Sequence, residues 1–197
     1  MSLTNPAAFF AEVRLDHGPL NTPQVEGFNA LLTAMEGWPV SWVAYGLGTA
    51  WHETAATMQP IKEFGGPRYF HKMYDPKGQN PKLAARLGNR LAGDGAKYAG
   101  RGYPQVTGRA NYERAEKVFG IPFGTNPDLM LNAENAAKVM IHFMERGLFT
   151  GKKLSDYLPG NYVGARRIIN GQDKAELIAG YALSFEAALV AGGWQAP

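Results

Sequence analysis

Glu53 and Glu63 are the residues of this chain whose types and setting most call for chemistry. From Gly37 to His52 there is no Lys, Arg, Asp or Glu; Glu53 then stands beside His52, and Glu63 follows after Pro60. Burial of a carboxyl favours its protonated form, the property of a general acid working near neutral pH. Glu63, in a polar stretch before Gly65-Gly66, is expected to be more solvated and ionised. Two carboxyls in unlike environments are the acid and base of glycoside hydrolysis. The structural alternative is a buried Glu satisfied by a neighbour and a surface Glu beside Lys62.

Other chemistries find less support. His52-Glu53 begins like the zinc motif H-E-x-x-H, but position 56 is Ala. With four histidines far apart and no cysteine, no metal site is expected, and neither a disulfide nor a thiolate nucleophile is available. The glycines between 93 and 108 lack the G-K-[ST] ending of a phosphate loop and the frame of a dinucleotide fingerprint. No G-x-S-x-G elbow occurs. No cofactor is expected.

The elements that must position the two glutamates are mostly helical. Ser41 is a candidate N-cap for a helix running towards Met58, with Trp42, Tyr45, Thr49, His52 and Glu53 on one face. It is apolar nearly all round and should be largely buried. Before it, a helix from Thr4 or Asn5 with Pro6 to about Asp16, and another capped by Thr22 ahead of Pro23, read as its packing partners. Pro67–Gln79 reads as an aromatic, basic loop whose rings either stack on sugars or anchor the loop to the core. A short helical piece follows from Pro81 to Leu91. The glycine-rich Leu87–Tyr112 reads as turns and short strands, forming a small antiparallel sheet with Gln59–Phe64.

Helical spacing returns at Asn111–Phe119, with a short turn at Asn126-Pro127. It continues through the stripe Ala133, Ala136, Ala137, Met140, Phe143, Met144 and Leu148, and over Asn161–Ile169. The last helix spans Ala175–Ala191, with Leu177, Tyr181, Phe185, Ala188 and Leu189 inward. The fold class is mainly α (α+β), two helical lobes with a cleft between them and a small antiparallel β element beside it. The chain reads as a single catalytic domain, with residues 1–38 as an N-terminal helical pair and 39–191 as the core.

A chain of 197 residues can bury a sizeable core, and 45% apolar with 19% charged residues excludes general disorder. The net charge of +3 is mildly basic and suits an anionic polymer such as a cell wall. Lys and Arg are scattered, so no nucleic-acid surface is expected. No apolar run approaches the roughly 20 residues a membrane span needs. The segment MSLTNPAAFFAEVR has neither a basic leader nor an apolar core of a signal, so the protein is expected in the cytoplasm until a separate holin releases it. No feature requires more than a monomer.

WHETAATMQPIKE, then LGNRLAGDGAKYAGRGYPQVTGRANY, then RIINGQ resemble the glycoside hydrolase family 19 domain, which includes plant-type chitinases and phage endolysins. The resemblance covers roughly Trp42 to Ala188, and its Gly-Arg-Gly…Gln-x-Thr block is the specific part. Without cysteines, and with a helical pair in place of a chitin-binding module, the chain is more similar to the phage or prophage branch of this lysozyme-like superfamily. The resemblance implies Glu53 as general acid, Glu63 as the base that activates water, and Thr107 as a residue holding that water. It implies Gln105, Asn111 and Asn170 as sugar-binding residues, with His52 orienting the acid or shaping the cleft wall. Tyr98 and Arg101, in the same block, join the substrate-binding set, although Arg101 has the alternative of tying a turn to a carboxylate, and Asn170 that of a helix C-cap.

The chain departs from the family at the base's partner. Members commonly carry an Arg in the final helix there; this chain has Leu177, Ile178, Tyr181 and Leu183, so either Arg166 or Arg167 substitutes or Glu63 is tuned differently. The late N-G-G motif is Asn170-Gly171-Gln172. The expected function is an endolysin that hydrolyses β-1,4 bonds of peptidoglycan with inversion, which calls for carboxylates about 6.5–9.5 Å apart. A chitinase, a lytic transglycosylase needing one acid, and a non-catalytic sugar-binding or phage structural protein are the alternatives.

Overall fold

The computed structural model describes residues 3–195, so the first and last two positions of the single-domain assignment lie outside it. In chain order the helices are α1 (Pro6–His17), α2 (Thr22–Ala34), α3 (Val40–Glu53), α4 (Pro67–Tyr74) and α5 (Pro81–Arg86). They continue with α6 (Asp94–Lys97), α7 (Arg109–Phe119), α8 (Ala133–Arg146), α9 (Tyr162–Ala165) and α10 (Ala175–Ala191). Strands β1 (Ile61–Lys62) and β2 (Arg101–Gly102) form one antiparallel pair, Ile61 opposite Gly102. The mainly helical class with a small antiparallel element is the one expected. The chain divides into two compact units, one of Met1–Gln59 with Ala137–Pro197, the other of Pro60–Ala136.

In the first unit α3 is the buried centre, its residues from Val43 to Trp51 all shielded from solvent. Gly48 allows α10 to close on it: an added Cβ would stand 3.0 Å from the Ala182 amide nitrogen. Phe9, Phe28, Trp51 and Phe185 meet edge-on or tilted around it, with His17 stacked on Phe185. Tyr45 donates from its hydroxyl to the Ala165 carbonyl at 2.8 Å, fixing α9 to the same helix.

Several local expectations are corrected here. Asn21, not Thr22, caps α2, in a reciprocal box with Gln24. Ser41 lies inside α3 and makes no cap. That helix ends at Glu53, five residues short of Met58. Thr54 turns its hydroxyl back to the Ala50 carbonyl and accepts from the Met58 amide. Ala55, Ala56 and Met58 then take positive φ, a conformation that disfavours side chains with a Cβ. What holds them is α2: Gln24 donates to the Ala56 carbonyl, Gln59 to that of Pro23, and Gly27 leaves room for Met58, whose carbonyl oxygen a Cβ would approach to 1.8 Å. In α10 Leu177 is 44% exposed and Ile178 takes the inward place, because the buried stripe runs Ala175, Ile178, Ala179, Ala182, Phe185.

In the second unit the expected loop Pro67–Gln79 contains α4. Gly66 and Pro67 start it, Phe70 buries its inner face, and Asp75 stops it. The Asp75 carboxylate, almost fully buried, accepts from the Gly93 and Gly95 amides and pairs with His71, tying α4 to the start of α6. The helix expected from Pro81 to Leu91 stops at Arg86, with Gly88 at positive φ behind it.

Candidate active site

Glu53 ends α3 with its carboxylate 16% exposed and Oε1 2.7 Å from Nη1 of Arg166, itself 3% exposed. Arg166 also donates from Nε to the Asp173 carbonyl at 2.9 Å, so one guanidinium ties the turn after α9 to the end of α3. His52 is half-buried beside Glu53, and burial holds its pKa below the usual imidazole value, with Glu53 opposing.

Burial lowers His17 in the same way. A histidine whose folded pKa is depressed contributes stability that is fully present above its unfolded pKa, about 6.5, and is lost as pH falls through the folded value. Urea unfolding is therefore expected to show lower stability at pH 5.5 than at pH 7.5, and His17→Gln or His52→Gln should flatten that difference. An unchanged slope in both variants would remove the histidines as its source.

Glu63 follows β1 in the second unit, also half-buried. Its Oε1 accepts from the Tyr74 hydroxyl at 2.8 Å and Oε2 from the Gly100 amide at 3.0 Å, while its own amide donates to the Gly100 carbonyl at 2.8 Å. Thr107 donates its one hydroxyl proton to the Gln105 carbonyl at 2.9 Å, which leaves its lone pairs to accept. Gln105 sits at φ 52 and donates from Nε2 to the carbonyls of Ile61 and Gly102. These side chains converge on Gly100: a Cβ there would lie 3.2 Å from Glu63 Oε2, 3.2 Å from Thr107 Oγ1 and 2.8 Å from Gln105 Oε1. Gly100→Ala should therefore displace all three oxygens and lower kcat about 10²-fold with little change in melting temperature; full activity in that variant would mean the cluster is not the reacting centre.

The contrast expected between a buried Glu53 and a solvated Glu63 is one of partner rather than exposure. Glu53 has a buried guanidinium; Glu63 has a phenol and a main-chain amide. Arg166 pairs with Glu53 and the Asp173 carbonyl, whereas the donors on Glu63 are the Tyr74 hydroxyl and the Gly100 amide. Tyr74 was not singled out, since its segment reads as a loop and a phenol eleven residues on has no local signature.

The structure brings Glu63, Gln105 and Thr107 together in the second unit, and Asn111, whose Nδ2 donates to the Thr107 carbonyl at 2.9 Å, supports the same turn from α7. His52 and Glu53 belong to the first unit, as does Asn170, which is exposed, with its amide on the Arg166 carbonyl and Gly171 at positive φ behind it. That is the geometry of the C-cap alternative. Arg101 and Tyr98 are not surface sugar contacts. Arg101 is buried, donating to Asp128, to the carbonyls of Lys97 and Ala99, and to the Tyr112 hydroxyl. Tyr98 is 1% exposed and donates to the Gly124 carbonyl. Both hold the turn that carries Gly100. Among the described residues no cluster of three or more His, Asp or Glu is disposed to hold a metal ion.

No protein-family model matches the chain, and no curated protein does. Solved structures do. Chitinase C from Streptomyces griseus HUT6037 superposes with a TM-score of 0.61 at 20% identity, over 95% of this chain and 77% of that one. A mutant of chitinase C gives 0.59 at 21% identity with the same coverage. A bacterial family 19 chitinase gives 0.48 at 18% identity over 87% and 93%. The chain has the fold of chitinase C.

Proposed function

We propose that this chain is a glycoside hydrolase acting on a β-1,4-linked aminosugar polymer, and that its substrate is the peptidoglycan backbone. The observation that carries the reading is the convergence of Glu63 Oε2, Thr107 Oγ1 and Gln105 Oε1 on Gly100, within a fold shared with chitinase C. A water between Glu63 and Thr107 can give one hydrogen to the carboxylate and the other to the Thr107 hydroxyl oxygen, which turns a lone pair outward for attack. Glu53, ionised against Arg166 in the free protein and protonated in the substrate complex, gives its proton to the glycosidic oxygen as the bond to the anomeric carbon breaks; Glu63 takes the water proton as the new bond forms. One bond is cleaved, one water is consumed, and the anomeric configuration inverts. The inverting route requires the carboxylates about 6.5–9.5 Å apart in the substrate complex. The mild positive charge of the chain favours an anionic wall over neutral chitin. On this reading the protein is a monomeric endolysin, held in the cytoplasm until a separate holin releases it to the cell wall, where it works.

The second reading is a chitinase, favoured by what the proteins of shared fold are called. Mass spectrometry of products from purified peptidoglycan and from chitin oligosaccharides separates the two. New reducing ends from peptidoglycan support the endolysin; release from chitin alone moves the protein to the chitinase reading; inactivity on both refutes the hydrolase.

A further inference from the structure

We infer that Tyr74 is the positioning residue of Glu63, an inference that rests on reading Glu63 as the base. Each oxygen of this carboxylate is held by one neutral donor, Oε1 by the Tyr74 hydroxyl at 2.8 Å and Oε2 by the Gly100 amide at 3.0 Å. Removal of the phenol leaves Oε1 without a partner and frees the carboxylate to rotate about its terminal torsion, which has broad minima. The Gly100 amide cannot prevent that rotation alone.

The phenol is itself immobilised. Its ring stacks on Phe70 at 6.4 Å between centroids and meets Tyr69 edge-on. Its carbonyl accepts from Asn89, and the next residue, Asp75, is anchored by the Gly93 and Gly95 amides. Burial, and then the bond to Glu63, raise the Tyr74 pKa far above that of a free phenol, so it remains a donor throughout any working pH range. The α4 helix thus delivers one hydroxyl to one carboxylate oxygen from a seat fixed on both sides. This also accounts for the missing arginine: in this chain the buried guanidinium serves Glu53, and Glu63 is held by α4 instead.

Other groups bear on Glu63. Tyr69 stands behind Tyr74 on α4, Gln105 and Thr107 lie in the turn after β2, Tyr112 on α7 interacts with it electrostatically, and exposed Lys62 precedes it. Tyr74→Phe leaves all of these in place and keeps the ring stacking.

The test reads the Glu63 carboxyl carbon by NMR titration in wild type and Tyr74→Phe, with pH profiles of kcat and KM on the substrate that is turned over. Loss of a donor to the charged form should move the Glu63 midpoint and the acid limb of kcat to higher pH. It should lower kcat about ten- to hundredfold, the worth of one hydrogen bond to a charged group, at constant KM. An unchanged midpoint and unchanged kcat overturn the inference. Glu63→Ala separates it from the reading beneath it. If that variant keeps its turnover, Glu63 is not the base and the hydrolase mechanism fails. If it is inactive while Tyr74→Phe matches wild type, only the positioning role fails.

Discussion

Glu53→Gln should lower kcat about 10²–10⁴-fold, the range general acid catalysis contributes, while the fold survives. The amide is isosteric with the carboxyl, and its carbonyl oxygen can still accept from Arg166 Nη1, so the end of α3 keeps its tie. What disappears is the proton for the leaving oxygen. The deficit should therefore depend on the leaving group. A natural sugar alkoxide needs that proton, whereas a nitrophenolate leaves without it, so aryl glycosides should recover most of the loss. Glu63→Ala should behave oppositely, with equal losses on both substrates and partial rescue by azide, a nucleophile that needs no base. Near wild-type turnover of Glu53→Gln on the polymer would take Glu53 out of the acid role, and equal losses on both substrates would move it to another one.

The second large effect is on stability. Arg166→Met should destabilise the protein by about 3 kcal/mol, at the lower end of the range for breaking a buried ion pair. Arg166 is almost wholly buried, and its guanidinium is hydrogen-bonded to Glu53 and the Asp173 carbonyl. Glu53 retains 16% exposure, and that residual solvation keeps the effect from the top of the range. For a chain of 197 residues the loss corresponds to a fall in melting temperature of about 6–12 °C. Adding Glu53→Gln to Arg166→Met should add little further loss, because the double variant has no unpaired charge at that place. Full additivity in this cycle would show that the two side chains do not depend on each other. Activity should fall together with stability in Arg166→Met, since the same guanidinium fixes Glu53 Oε1.

Much of the site was legible because its residues lie in two short stretches. His52-Glu53 ends an uncharged run, and the Gly-Arg-Gly…Gln-x-Thr block holds Gly100, Gln105 and Thr107 within a few residues of each other. Tyr98 does not face the sugar, and Arg101 takes its alternative of tying a turn to a carboxylate, because a motif records which residues accompany a site, not which way they point. In the fold both turn inward and stabilise the turn that Gly100 needs. Phe70 and Tyr74 carried the opposite ambiguity. Aromatics at that spacing suit a sugar-stacking loop or an anchored one, and only the helix that Gly66 and Pro67 start assigns them to packing and to Glu63.

The amino-acid sequence by itself determined the helical class, the bounds Ala175–Ala191 of α10, the burial of α3 and the pairing partner of the β1 segment. The helical class, the bounds of α10 and the burial of α3 depend on periodicity within a few residues, where local sterics dominate; the β1 pairing joins Ile61 to distant Gly102 and rests on turn-flanked segments reading as strands. The tertiary structure decided where α3 stops and which partner each glutamate takes. Ala55-Ala56-Thr57-Met58 has no helix breaker, yet it unwinds because Gly27, Gln24 and Pro23 receive it from more than 30 residues away. Arg166 and Arg167 are equivalent in a string of letters, but one turn of backbone buries the first against Glu53 and leaves the second exposed. An ion pair or a hydrogen bond acts over about 3 Å, and the chain reports that distance only once it has folded.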